Sequence, residues 1–133
     1  MATIRRQCDV GASPEAAWDA VRDIGAVHTR LAPGFVADTR LEQGARVVTF
    51  VNGMVIREPI VTLDEEARRL VWSAEGGLTT HYNAALEVLP GRDGGAAIVW
   101  TADFLPDEVM PRLAAAIEAG MGAIKTTLDK LAL

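Results

Sequence analysis

Arg46-Val47-Val48-Thr49-Phe50-Val51-Asn52-Gly53-Met54-Val55-Ile56-Arg57-Glu58-Pro59-Ile60-Val61-Thr62 reads as two strands folded back on each other. An Asn-Gly pair between two apolar, β-branched runs is the strongest short hairpin signal a sequence offers. The runs predict strands over 46–52 and 54–62. Val48, Phe50, Met54, Ile56 and Ile60 share even parity. Alternating side chains point to opposite faces, so this parity faces a core. Glu58 is the charged exception on the same parity.

The pattern continues outward. Strands are predicted over 3–10, 35–41, 69–75, 81–89 and 96–104. Gln43-Gly44, Asp64-Glu65-Glu66, Gly76-Gly77 and Pro90 to Gly95 punctuate them. Short strands joined by such turns imply an antiparallel meander. Even parity also gathers Trp72, Tyr82, Leu86, Trp100 and Phe104. Odd parity holds Arg57, Ser73, Glu75, Glu87 and Asp103. A sheet with one wet face has this character.

Two segments read as helical. Ser13 is an N-cap, Pro14 fits the first turn, and Ala17, Trp18, Val21 and Ile24 follow at helical spacing. Gly25 ends that helix, and 27–31 reads as one further short turn before Ala32-Pro33-Gly34. At the other end, Met110, Leu113, Ile117, Met121, Ile124, Leu128 and Leu131 recur every three to four residues. A helix over 107–131 is about 38 Å long. Its apolar stripe needs a partner, and the sheet is the only large surface available. Gly120 and Gly122 inside it mark close packing or a bend.

Length and composition narrow the function. The 133 residues suit one domain over 1–133. A net charge of −5 without a basic stripe argues against nucleic acid as a partner. Cys8 is the only cysteine, so neither an internal disulfide nor a Cys-rich zinc site is expected. No apolar run follows the charges at the start, and no 18-residue apolar stretch occurs. The expectation is a soluble cytoplasmic protein, monomer or homodimer, with no cofactor and no metal. Alanine occurs 22 times while aromatics make up 5%. Such a chain packs its backbones closely or leaves a cavity.

The run Ala12-Ser13-Pro14-Glu15-Ala16-Ala17-Trp18, Gly44, Arg57-Glu58, Leu63 to Leu70, Trp100 to Pro106 and the long terminal helix resemble one superfamily. It is the START-like, birch-pollen-allergen-like superfamily, also called SRPBCC, and within it the bacterial polyketide cyclase/dehydrase branch. The resemblance covers nearly the whole chain. It implies an α+β helix-grip fold: a curved antiparallel sheet of about seven strands around a long C-terminal helix, with two short helices after the first strand. It also implies a mostly apolar cavity between sheet and helix, suited to hydrophobic ligand binding or lipid transport.

Glu58 is the most informative candidate. A carboxylate on an apolar face is costly unless it is paired or protonated. It is either a ligand-polarising group or general base, or a surface residue turned outward by a bulge at Pro59. The abscisic-acid receptors share the fold and resemble this segment in placing a Glu six residues before a Leu-Asp turn. His28 on the short turn and His81 at a strand start are expected near the cavity mouth as proton shuttles. The surface reading of each also stands. Tyr82 needs a partner for its hydroxyl if buried. Cyclases of the branch resemble one another in lining the pocket with Arg, Tyr and Asp/Glu, and Arg46, Tyr82 and Glu58 match that partially. Phe50, Met54, Ile56, Trp72, Trp100, Ile117 and Met121 are the expected ligand-binding walls. Cys8 reads as a small core residue, and the Arg68-Arg69 turn as solvated.

Two functions follow. One is binding of a small apolar molecule in the cavity. The other is an acid/base enzyme of the polyketide cyclase/dehydrase type, performing aldol or dehydration chemistry with Glu58 as base and Tyr82, His28 or His81 as acid. A protein with a filled core that serves as an interaction module is the third reading.

Overall fold

The computed structural model describes residues 1–132. The hairpin forms around Asn52-Gly53 with a three-residue loop. Gly53 N–H donates to the Phe50 carbonyl at 2.9 Å, and Phe50 N–H donates to the Met54 carbonyl at 2.8 Å. Gly53 takes φ +90°, where any Cβ would be strained. The strands it joins are β3 (Ala45–Phe50) and β4 (Val55–Asp64). Before them come β1 (Ala2–Val10) and β2 (Val36–Glu42), and after them β5 (Arg69–Ser73), β6 (His81–Pro90) and β7 (Ala96–Leu105). All seven form one antiparallel sheet in the order β1-β7-β6-β5-β4-β3-β2.

Between β1 and β2 lie α1 (Pro14–Arg22) and a single π-helical turn, Val27–Leu31. Ser13 caps α1 by accepting from Ala16 N–H. After β7 a 3₁₀ turn, Asp107–Val109, leads into α2 (Met110–Lys130). The start of the long helix is thus tighter than a uniform 107–131 helix. Pro111 lacks the N–H that an interior helical position would donate, so it belongs near the N-terminus. α2 lies across the concave face of the curved sheet. Its far end is fixed to β1: Gly11 N–H donates to Asp129 at 2.8 Å, and Lys125 Nζ donates to the Asp9 carbonyl at 2.6 Å. This is the helix-grip arrangement.

Even-numbered strand residues face α2 as expected. Val48, Leu70, Trp72, Tyr82, Ala84, Leu86, Ile98, Ala102 and Phe104 are all buried. Two details differ. First, β4 carries a bulge between Ile60 and Thr62, where the pairing with β5 shifts register. The parity therefore switches beyond it: Val61 is exposed and Leu63 packs on the core opposite Leu70. Second, the convex face is not uniformly wet. Val71, Ala85, Ala97 and Val99 are buried there. Val99 is flanked across strands by Gln7 and Glu87, whose longer side chains shade it.

The two helix glycines part company. A Cβ on Gly120 would lie 2.9 Å from the Trp100 ring and 3.0 Å from Phe35, so this glycine allows close approach. Gly122 faces open space. The turn after β4 is more than solvated. Glu65 accepts from Trp18 Nε1 at 2.7 Å and from Arg22 at 2.8 and 2.9 Å, and Arg68 bonds Glu15. These contacts tie α1 to the β4–β5 turn.

Candidate functional site

Sheet and α2 do not meet everywhere. Between them lies a cavity of about 340 Å³. Cavities of this size hold small organic ligands. Its α2 wall comes from Leu113, Ala116, Ile117, Gly120 and Ile124, one stripe at helical spacing. Small residues at 116 and 120 leave the room that larger side chains would fill. Phe35 and Phe50 form an edge-to-face pair on one side, with centroids 5.3 Å apart. Trp72 and Trp100 stand 5.9 Å apart on the sheet floor. Residues 76, 78 and 79 of the β5–β6 loop and 51–52 of the hairpin also border it.

The hairpin register brings two charges into this apolar space. Arg46 on β3 pairs directly with Glu58 on β4. Arg46 Nε donates to Glu58 Oε1 at 2.8 Å, and both residues are buried, at 4% and 8% exposure. The Arg46 guanidinium also sits over the Trp72 ring, 5.2 Å from its centroid. A cation over an indole face is stabilised by the ring's quadrupole. Nη1 of Arg46 is buried without a hydrogen-bond partner among the described residues. Burial pushes the Glu58 carboxyl above the usual carboxylate range, and the facing Arg46 offsets this only in part.

Tyr82 lies beside this pair. Its hydroxyl accepts from Trp100 Nε1 at 3.3 Å, which leaves its own proton to donate elsewhere. Burial drives its ionisation far above the normal range, so the hydroxyl stays protonated. The floor of the cavity thus carries a carboxyl, a guanidinium with unused N–H groups, and a phenol.

The cavity is lined by Glu58, Tyr82, Phe50, Met54, Ile56, Trp72, Trp100 and Ile117. Three other expected residues are placed elsewhere. Met121 lies one position round the helix from Gly120 and packs into the main core. His28 is half-buried on the π-helical turn, with Nε2 3.9 Å from Asp38 and no edge on the cavity. His81 is exposed at the start of β6 and does not line the cavity either. Its odd position gives it the opposite face from Tyr82. Cys8 is half-buried against the core, away from the site. The described residues contain no cluster of three or more metal-ligating side chains. No helix is long and apolar enough to cross a membrane.

Sequence reasoning missed Phe35, Leu31, Leu78, Ala116 and Arg112, all of which border the cavity. Arg112 on the first turn of α2 has no ion-pair partner among the described residues. Ala116 was within reach, because it falls between Leu113 and Ile117 on the helix stripe.

A seven-stranded sheet gripping a long helix around a cavity defines a START-like helix-grip protein. The sequence model of the polyketide cyclase/dehydrase and lipid transport family matches residues 1–133, and the chain belongs to that family. Among solved structures, a protein from Thermobifida fusca is 30% identical, with 98% of this chain and 95% of that one covered and a TM-score of 0.79. The protein XoxI from Bacillus cereus superposes with TM-score 0.86 at 17% identity over 96% of each chain. A START superfamily protein from Mycobacterium smegmatis gives 0.75 at 14% identity, over 97% and 98% of the two chains. No curated protein matches the sequence.

Proposed function

We propose that this protein binds a small, mostly apolar molecule in the cavity between sheet and α2. The observation that carries this reading is a cavity of about 340 Å³ walled by aromatic and aliphatic side chains, with polar groups only at a few points. Apolar walls supply the driving force, and the few polar groups fix orientation. The third reading, a filled core, has no support from this geometry. An environment-sensitive apolar dye tests the proposal. Its fluorescence rises on titration with the wild type. Ala116→Trp fills the space and abolishes that rise while the melting temperature holds. A dye response that the plug leaves unchanged sinks the proposal.

Enzymatic turnover of the cyclase/dehydrase type is the second reading. Glu58, with its raised carboxyl, and the protonated Tyr82 border the same cavity, and this favours it. Neither His28 nor His81 borders the cavity, so Tyr82 is the remaining acid of the expected set. A pH–rate profile on an activated carbonyl substrate separates the readings. Only the enzyme shows a limb that disappears in Glu58→Gln.

A further inference from the structure

We propose that Arg112 determines specificity at the mouth of this cavity, and that the ligand is an amphiphile with a singly charged oxyanion head. The head is held outside at Arg112 and the apolar tail points to the floor. The inference rests on the cavity-binding reading above and adds the ligand's charge and its direction.

The charges on the wall carry it. Of the residues that line the cavity, only Arg46, Glu58 and Arg112 are charged. Arg46 and Glu58 are matched to each other at 2.8 Å. Arg112 has no ion-pair partner among the described residues. The nearby acids do not supply one. Glu108, four residues earlier, does not pair with it, Asp107 pairs with the N-terminal amine, and Glu75 pairs with Arg57. The wall thus keeps one uncompensated cation in a protein whose net charge is −5. A single oxyanion is its complement, and the guanidinium fork fits one.

Direction follows from burial. Arg112 is exposed, whereas Arg46 and Glu58 are 4% and 8% exposed. Arg112 therefore marks the wet end of the cavity and the pair its dry end. An anionic head at the dry end would lose its water and lie beside the Glu58 carboxyl, and both effects oppose its charge. At Arg112 the head meets a free cation and stays hydrated. The tail then covers apolar wall, which supplies the driving force. At interior packing density the cavity takes roughly 250 Å³ of ligand, enough for a tail of about ten carbons.

Calorimetric titration with probes of one tail and different heads tests this: decanoate, decyl sulfate, decanol and decylammonium. At low ionic strength Arg112→Gln is expected to weaken decanoate about threefold to fivefold, as loss of one solvent-facing ion pair implies. Decanol is expected to change by less than about twofold, and decylammonium to bind more tightly to the variant. Arg112→Lys keeps the charge and restores most of the decanoate loss. Molar salt removes the difference between wild type and Arg112→Gln. Decyl sulfate separates the head classes: a larger loss there than for decanoate assigns a sulfate or phosphate ester head, a smaller one a carboxylate, and either upholds the proposal. The carboxyl carbon-13 resonance of bound decanoate reads direction without a variant. A head at Arg112 titrates at or below its value in water, and a head buried beside Glu58 titrates well above it. No loss in either anion, an equal loss in decanoate and decanol, or a carboxyl that titrates well above its value in water overturns this inference and leaves the cavity reading standing. Binding of none of the four overturns both.

Discussion

Arg46 and Glu58 form a buried ion pair across the β3–β4 hairpin, joined by a single hydrogen bond of 2.8 Å and placed against the face of Trp72. Each residue justifies the other. Alone, either would be a charge in an apolar cavity wall, and together they are tolerable. Pairs of this kind rarely stabilise a fold in themselves, because desolvation offsets the attraction. Their worth lies in the polar floor they give to the cavity.

Three substitutions separate pairing from burial. Glu58→Gln keeps an acceptor for Arg46 Nε and removes a charge whose ionisation burial already opposes. It still leaves the guanidinium buried without a countercharge, so it is expected to cost about 1–3 kcal/mol. Glu58→Leu leaves Arg46 buried with no acceptor and is expected to cost about 3–5 kcal/mol. Arg46→Met added to Glu58→Leu restores most of that loss. Chemical denaturation reads all three. A Leu variant as stable as the Gln variant shows that Arg46 has found water, and that its burial does not hold in solution.

Gly120 and Gly122 offer a matched contrast on one helix. In an open helical position alanine gains about 1 kcal/mol over glycine. Gly122→Ala meets nothing within 4 Å and should gain that amount. Gly120→Ala drives a methyl to within 2.9 Å of the Trp100 ring and 3.0 Å of Phe35. Forced contacts in a packed site cost about 1–3 kcal/mol. The net is a loss of up to about 2 kcal/mol, together with a changed Trp100 fluorescence. Equal gains from both variants show that α2 shifts freely over the sheet.

The hairpin made much of this site legible. A loop over 51–53 sets Phe50 opposite Met54, so residues whose numbers sum to 104 face each other, and Arg46 falls opposite Glu58. Period-2 parity then sent Trp72, Tyr82 and Trp100 to the same face. The parity argument stopped at the Ile60–Thr62 bulge, because an unpaired residue reverses every later side chain. Pro59 pointed to a bulge in this strand. It lies beyond Glu58, so Glu58 keeps its inward face. His28 and His81 were placed by analogy with a mouth. Where a short turn or a strand end points depends on packing between distant segments, which no local pattern encodes. Met121 missed the cavity by one helical step, a phase that depends on how α2 rolls against the sheet.

Glu65 provides the pH test. It is an exposed carboxylate held by Arg22 first and then by Trp18, and these bonds keep its carboxyl below the usual range. A group whose folded value is lowered contributes stability that is present above its unfolded value, about 4.3. That contribution is lost as pH falls through the lowered folded value. Glu65→Gln retains an acceptor for Trp18 Nε1 and loses the ion pair with Arg22. Its melting temperature should lie below wild type at neutral pH, and the gap should close as the solution is acidified past the ordinary carboxylate range. Salt should narrow the gap at neutral pH, since both partners are exposed and screened. Thermal melts followed by tryptophan fluorescence give both curves, because Trp18 reports on the bond to Glu65. A gap that stays constant from neutral to acidic pH would show that the ion pair with Arg22 contributes nothing. The hold of the β4–β5 turn on α1 would then rest on the Trp18–Glu65 and Arg68–Glu15 contacts.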